Sequence, residues 1–281
     1  MNKETGLLEI DRSQHKKDEL KELEERGIAF NDAASAYLTN EDLKASLEFT
    51  CLSMLGGKKI DVLAMDACHM AIVEVASQVK TAVNVMVASE EVEPGTGYNY
   101  IPALSVFNRS GVDAQTLGRH LVGAYHAEYH STLGDYTQSA VDLTYCNILE
   151  ASISGLANNL MALMDTPDQA GFKMLRDIRF SRSLTTEFFD SDYVDLGHFY
   201  KSLITRAQTY LSSGKTKFGF GGVSAAQKQL ADAWTAVGRS ATEGISILQA
   251  MVLANAAGRN LKNATGLSIY FPITSVHSSY K

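Results

Sequence analysis

The chain has 281 residues, 45% hydrophobic and 20% charged, the balance of an ordinary globular protein with apolar content enough for one large domain or two small ones. Its formal net charge of −7 argues against a general affinity for nucleic acid or anionic membrane and suits cationic ligands. No run approaches the roughly 18–20 apolar residues of a membrane span, and Met1 to Gly6 hold no apolar signal core, so the chain is expected to be cytoplasmic or to have lost a leader.

Residues Lys16 to Arg26 are almost wholly charged, with leucine only at Leu20 and Leu23. They read as a solvated linker or a weakly amphipathic helix that exposes Lys16, Lys17, Lys21 and Arg26. Gly27 to Phe30 reads as a short strand. Thr39 is the N-cap of a helix, with Asp42 three residues on, and Gly56-Gly57 stops that helix. Lys59 to Cys68 is an apolar strand ending in Asp66-Ala67-Cys68. A helix pattern from His69 to Lys80 follows, and then a strand from Val83 to Ala88. Ser89 to Tyr100 is a polar loop marked by Pro94, Gly95 and Gly97. Asp113 to His130 is helical, Asp135 to Thr144 strand-like, and Asn147 to Met164 a long amphipathic helix. Further helices are expected near Tyr193 to Leu211 and Ala225 to Val237. Ile245 to Ala254 is apolar and fits helix or strand. Leu267 to Phe271 is β-branched and aromatic, hence a strand, ended by Pro272.

The strand–helix–strand unit from Lys59 to Ala88 carries the chemistry. Its two strands should run parallel, so the Cys68 turn and the loop after Ala88 emerge at one edge of the sheet. Active sites of open α/β sheets collect at the carboxyl ends of strands. Asp66, Cys68, Glu90, Glu91 and Glu93 therefore share a neighbourhood. The three cysteines, Cys51, Cys68 and Cys146, form no disulfide framework, so at least one thiol is free. Cys68 is either an inert buried thiol or a nucleophile favoured by the N–H groups of the following helix. Acidic neighbours raise a thiol pKa, so a nucleophile here needs a histidine partner. The glutamates are either a solvated loop or the wall of a cation pocket. His126 and His130 share a helix face but lack the glutamate that a zincin pair requires after the first histidine. No metal site is expected. His69 adjoins Cys68, yet its side chain starts the helix pattern and is expected to point elsewhere; His198 and His277 have no distinctive context.

The segment Lys59 to Tyr100 (KIDVLAMDACHMAIVEVASQVKTAVNVMVASEEVEPGTGYNY) resembles the core of the clostripain family of cysteine peptidases, in the caspase-like clan with gingipains and legumains. Further matches are Arg26 to Asp32, Tyr37 to Leu43, Ser139 to Leu143, Asp195 to Phe199 and Gly266 to Tyr280, so the resemblance spans nearly the whole chain. It implies a caspase-like α/β sandwich, a mostly parallel central sheet flanked by helices, with N-terminal strands missing from this chain. It implies that Cys68 is the nucleophile and that Asp66 lines a primary pocket for Arg or Lys. Many relatives carry a second pocket acid where Thr96 stands here; its replacement weakens the cation pocket, with Glu91 or Glu93 near enough to compensate. Relatives hold the catalytic histidine in a His-Gly motif, which this sequence lacks. His15 is the upstream candidate. Otherwise the histidine lies on a separate light-chain fragment, or the chain is truncated, or the member is degenerate.

The resulting expectation divides residues 1–26, a charged linker or processing segment, from a peptidase domain over 27–281, with its catalytic unit at 59–100 and helical and strand additions over 101–281. The expected function is a cysteine endopeptidase cleaving after Arg or Lys through an acyl-enzyme and activated by autoprocessing. Catalysis falls to Cys68 with His15 or an external histidine, and substrate binding to Asp66, Thr96 and Glu91. The alternative is an inactive caspase-like module that binds basic peptide segments. No cofactor is required; the resemblance allows calcium as a modulator. The expected partners are protein or peptide substrates with basic residues and a His-bearing light fragment, with no nucleic acid and no membrane. By resemblance the protein is secreted or periplasmic.

Overall fold

The computed structural model describes residues 28–31, 36–166, 170–213 and 224–276, so His15, the Lys16 to Arg26 run and His277 lie outside the described residues. Two units separate, residues 1–58 and 59–281. In the first, β1 (Ile28–Asn31) pairs antiparallel with β2 (Ala36–Leu38). Helix α1 (Asn40–Ser53) starts where its cap dictates. The Asp42 N–H donates to Thr39 Oγ1 at 3.1 Å, and the Thr39 N–H donates to the Asp42 carboxylate at 3.2 Å. Two of the helix's orphan donors are thereby satisfied reciprocally. Beyond its end, Gly56 and Gly57 take φ values of +60° and +82°, which only glycine adopts without strain.

The second unit is built on a four-stranded sheet in the order β3 (Ile60–Ala64), β4 (Val83–Ala88), β5 (Thr137–Asp142), β7 (Val252–Ala257). β3 and β4 run parallel, with Ile60 beside Val83 and Ala64 beside Val87, joined by helix α2 (Val73–Val79). The other two ladders are antiparallel, so the sheet is mixed where the resemblance implies a mostly parallel one. The cause is the long connection from β4 to β5. Its first part holds the short helix α3 (Tyr100–Leu104) and returns the chain to the far end of the sheet before α4 (Ala114–Tyr129) begins. At that end Gln115 donates to Asp142 at 3.3 Å; at the other, Tyr129 Oη meets Thr96 Oγ1 at 2.8 Å. Helix α4 thus climbs back to the edge where β4 finished, and β5 must enter antiparallel.

β4 is buried along its length apart from half-buried Asn84, so helices cover both faces of the sheet. On one face α4 packs Leu121, Val122, Tyr125 and Tyr129 against Val85, Val87 and Ala140. The α5 (Cys146–Met164), α7 (Leu196–Ser212) and α8 (Ala225–Met251) helices pack together, with Leu156, Leu203 and Val237 among their buried side chains. Helix α8 runs straight into β7, so the ambiguous Ile245 to Ala254 stretch contains a helix end and a strand start. α6 (Ala170–Arg179) precedes a small second sheet, in which β6 (Tyr193–Asp195) pairs antiparallel with β8 (Ser268–Tyr270). Tyr193 to Asp195, expected as helix, is strand because β8 supplies a partner far away in sequence, pairing Tyr193 with Tyr270 and Asp195 with Ser268.

Candidate active site

The strand expected through Cys68 ends at Ala64, and the helix expected from His69 starts at Val73. Between them the backbone turns sharply. His69 has φ +55°, an uncommon conformation for a residue with a side chain and one that clusters at functional sites. It is held there from several sides. Its N–H donates to Glu91 O at 3.3 Å, its Nδ1 bonds Glu90 O at 2.8 Å, and its ring stacks on Tyr193 at 5.7 Å. The imidazole is buried against the loop after β4, bonded to Glu90 O and stacked on Tyr193.

Parallel pairing of β3 and β4 brings the Cys68 turn and the loop after Ala88 to one sheet edge. Thr137, buried at the start of β5, fastens that loop. Its Oγ1 accepts the N–H groups of Glu90 and Glu91 at 2.9 and 3.0 Å and bonds Ser89 Oγ at 3.0 Å. The loop then delivers the Glu93 N–H to Cys68 Sγ at 3.3 Å. Cys68 is half-buried, while Cys51 and Cys146 are buried. Burial, with the Glu150 charge second, pushes the Cys146 thiol up to about 12. Among the described residues no hydrogen bond joins Cys68 Sγ to an imidazole. His126 is engaged by Tyr136 Oη at 2.6 Å, His130 by the backbone oxygens of α4, and His198 by Thr186.

Two residues before the thiol, the Asp66 side chain is exposed. Its Oδ2 accepts the Tyr98 N–H at 3.2 Å and the Tyr100 hydroxyl at 2.8 Å. Burial pushes its carboxyl up, but hydrogen bonds from Glu93, Tyr100 and the Tyr98 N–H outweigh that and hold it below the ordinary aspartate range. Asp66 lines a cavity of about 210 Å³ whose remaining wall is apolar and aromatic, with Val62, Tyr98, Leu104 and Leu121 among the lining side chains. Gly97 makes the close approach possible. Its φ is +58°, and a Cβ there would lie 2.3 Å from Asp66 Oδ2. Gly97→Ala is therefore expected to move the Asp66 carboxylate and to weaken binding of a small cation such as benzamidine about 10-fold or more. Titration calorimetry checks this, and unchanged affinity would contradict it.

The three glutamates are not a solvated loop. Glu90 is fully buried, with Oε2 accepting the Gly266 N–H at 3.0 Å. The Glu91 carboxylate also faces inward, taking the N–H groups of Phe189 at 3.1 Å and Val92 at 2.7 Å. Its charge is committed to holding backbone. Glu93 is 8% exposed; Gln138 donates to its Oε1 at 3.1 Å, and its carboxyl hydrogen-bonds Asp66. Burial, then the contact with Asp66, pushes Glu93 up to about 9. Thr96 is exposed, its hydroxyl donating to Tyr129, whose own hydroxyl donates to Gly97 O at 2.5 Å. On the other side of this loop, Glu91, Glu93, Arg182, Glu187 and Phe189 line a cleft of about 670 Å³. The sequence places Glu93 near Asp66; Tyr98, Tyr100 and Gln138 are the residues around Asp66 that it misses. Their partner lies 32 to 72 positions away in sequence, a separation without local signal. Among the described residues no group of three or more His, Cys, Asp or Glu side chains is arranged to hold a metal ion.

No curated protein matches the sequence. Among solved structures, the chain superposes on a B. fragilis cysteine protease with a TM-score of 0.51 at 18% identity, covering 89% of this chain and 91% of that one. A secreted C11 cysteine protease from Bacteroides thetaiotaomicron, bound to an irreversible peptide inhibitor, gives 0.54 at 13% identity, over 87% of this chain and 60% of that one. An inactive zymogen C11 protease from Parabacteroides distasonis gives 0.51 at 15%, over 85% and 58%. At such identities the likeness establishes the fold, a central sheet flanked by helices, and the chain spans about three-fifths of the length of the last two. The sequence model of the clostripain family matches residues 11–273, nearly the whole of the chain. A match of that extent settles its kinship: the chain belongs to the clostripain family of cysteine peptidases.

Proposed function

We propose that this chain is the nucleophile-bearing part of an endopeptidase that cleaves after Arg or Lys. The observation that carries the reading is the pairing of Asp66 with its cavity. A carboxylate in the wall of an otherwise apolar cavity suits a side chain with an aliphatic stem and a cationic head. The same short turn presents a half-buried thiol two residues away. Cys68 loses its proton to an imidazole, and the thiolate attacks the scissile carbonyl. The Cys68 backbone N–H stabilises the oxyanion. The imidazole then protonates the departing amine, leaving a thioester that water hydrolyses. The imidazole is carried by His15 or by a separate light fragment, and the enzyme frees itself by cutting in the Lys16 to Arg26 linker. Secretion fits the secreted neighbour from Bacteroides thetaiotaomicron. Thr96 trims the mouth of the pocket, and Glu91 supports the loop beside it. No step passes through a metal.

The test is incubation with a chloromethyl ketone bearing Arg or Lys, followed by peptide mass mapping. A stoichiometric adduct on Cys68, suppressed by benzamidine, is the expected result. A second reading, a non-catalytic module that binds basic segments, draws on the absence of an imidazole bonded to Cys68 among the described residues. It predicts no adduct together with retained binding of basic peptides.

A further inference from the structure

We propose that Glu93 is a specificity residue of the Asp66 site, holding a proton that it surrenders when a cation engages Asp66. This inference rests on the reading of Asp66 as the cation-binding residue and deepens it.

The geometry begins with an unfinished partnership. Glu93 is nine-tenths buried, and among the described residues no donor reaches its Oε2. Its carboxyl hydrogen-bonds the Asp66 carboxylate. Two carboxyl groups can share a hydrogen bond only when one of them carries a proton. The buried partner is the one that keeps it, because burial penalises its charge while Asp66 is open to solvent and receives two further donors. The empty pocket therefore bears one negative charge and a stored proton. Glu93 reaches this position from the same loop residue whose N–H meets Cys68 Sγ, so the thiol and the pocket acid are both keyed to it.

A guanidinium or ammonium arriving at Asp66 changes the balance. It withdraws the Asp66 charge from Glu93 and adds a positive charge nearby, and both effects favour ionised Glu93. The proton passes to solvent, Glu93 becomes a carboxylate, and the site gains a second negative charge against the bound cation. The other groups facing Glu93 do not compete for this role: across the cleft it also lines, Arg182 pairs with Glu187, Glu91 holds backbone N–H groups and Asp135 accepts from Asn260. The Tyr98 and Tyr100 phenols are pushed upward, Tyr98 chiefly by burial and Tyr100 chiefly by its bond to Asp66, and stay neutral throughout. Tyr125 behaves likewise, and Gln138, which also donates to Tyr98 Oη at 2.7 Å, does not titrate. A neutral side chain in the slot would leave the proton in place, so the response itself discriminates basic from apolar substrates.

The experiment is titration calorimetry of benzamidine binding to the full chain carrying Cys68→Ala, which removes the nucleophilic thiol. Binding is measured at pH 6 and pH 8 in buffers of differing ionisation enthalpy. The expected results are release of a proton, between one-half and one per site at pH 8, and affinity about 5- to 20-fold tighter at pH 8 than at pH 6. Glu93→Gln keeps a donor toward Asp66 but has no proton to release; it should abolish both the release and most of the pH dependence. Binding that requires Asp66, tested by Asp66→Asn, but releases no proton and ignores Glu93→Gln overturns this inference alone. Benzamidine binding that is absent, or indifferent to Asp66→Asn, overturns the cation-pocket reading with it. Proton counting on the chain with Glu93 intact decides the matter even if Glu93→Gln fails to fold.

Discussion

Replacing Cys68 with alanine is expected to lower kcat/KM on an Arg- or Lys-containing peptide by about 10⁴-fold or more while leaving the fold intact, because without the thiolate no acyl-enzyme can form. The side chain is half-buried at a turn and accepts one N–H, so its loss removes little packing. The assay uses the chain together with whatever segment bears its imidazole. The same variant tests self-processing. If cleavage in the Lys16 to Arg26 linker continues unchanged in Cys68→Ala, a different protease makes that cut. If turnover survives, Cys68 is not the nucleophile and the proposed function fails.

Asp195→Ala is expected to destabilise the fold by about 3–5 kcal/mol, the cost of stripping the partner from several buried polar groups at once. Asp195 is fully buried. It caps α7 by accepting the His198 N–H at 2.5 Å, accepts the Thr265 N–H at 2.5 Å, and takes the Thr265 hydroxyl at 3.0 Å. It also hydrogen-bonds buried Glu90, whose carboxyl holds the Gly266 N–H. One carboxylate thus ties the start of α7, the turn before β8 and the loop after β4 together. Denaturant unfolding checks the expected loss, and a change below about 1 kcal/mol would contradict it. Glu90→Gln should be neutral or stabilising near pH 7, because the amide replaces the acid's proton without a charge to bury.

That contrast has a pH signature. Burial, then the Asp195 charge, pushes Glu90 up; burial, then the contact with Asp66, pushes Glu93 up to about 9. Above the ordinary glutamate value of 4.5 the unfolded chain gives up protons that the folded chain retains on both. The folded state then binds more protons, so stability falls as pH rises, for Glu93 across the window from 4.5 to about 9. Thermal unfolding at pH 5, 7 and 9 should show this decline, and Glu93→Gln should flatten it. An acid kept neutral at the expense of stability above its usual range fits the proton-storing role proposed for Glu93.

Much was legible in the sequence because it is local. The Thr39 and Asp42 capping box, the Gly56-Gly57 stop and the β3–α2–β4 periodicity depend on neighbours a few residues apart. Parallel pairing then follows from the connection rule, and with it the meeting of the Cys68 turn and the loop after Ala88. Tertiary structure alone decided what those groups meet. The sequence left Glu90, Glu91 and Glu93 as either a solvated loop or the wall of a cation pocket, and burial made them one partner for Asp195, one anchor for backbone and one neutral neighbour for Asp66. A carboxyl group's charge depends on its solvent and its partners, and both come from residues up to 176 positions away, as Glu90 with Gly266 demonstrates. The direction of β5, the strand at Tyr193 and the left-handed turn at His69 were decided the same way, since each is imposed by long-range packing that no local pattern encodes.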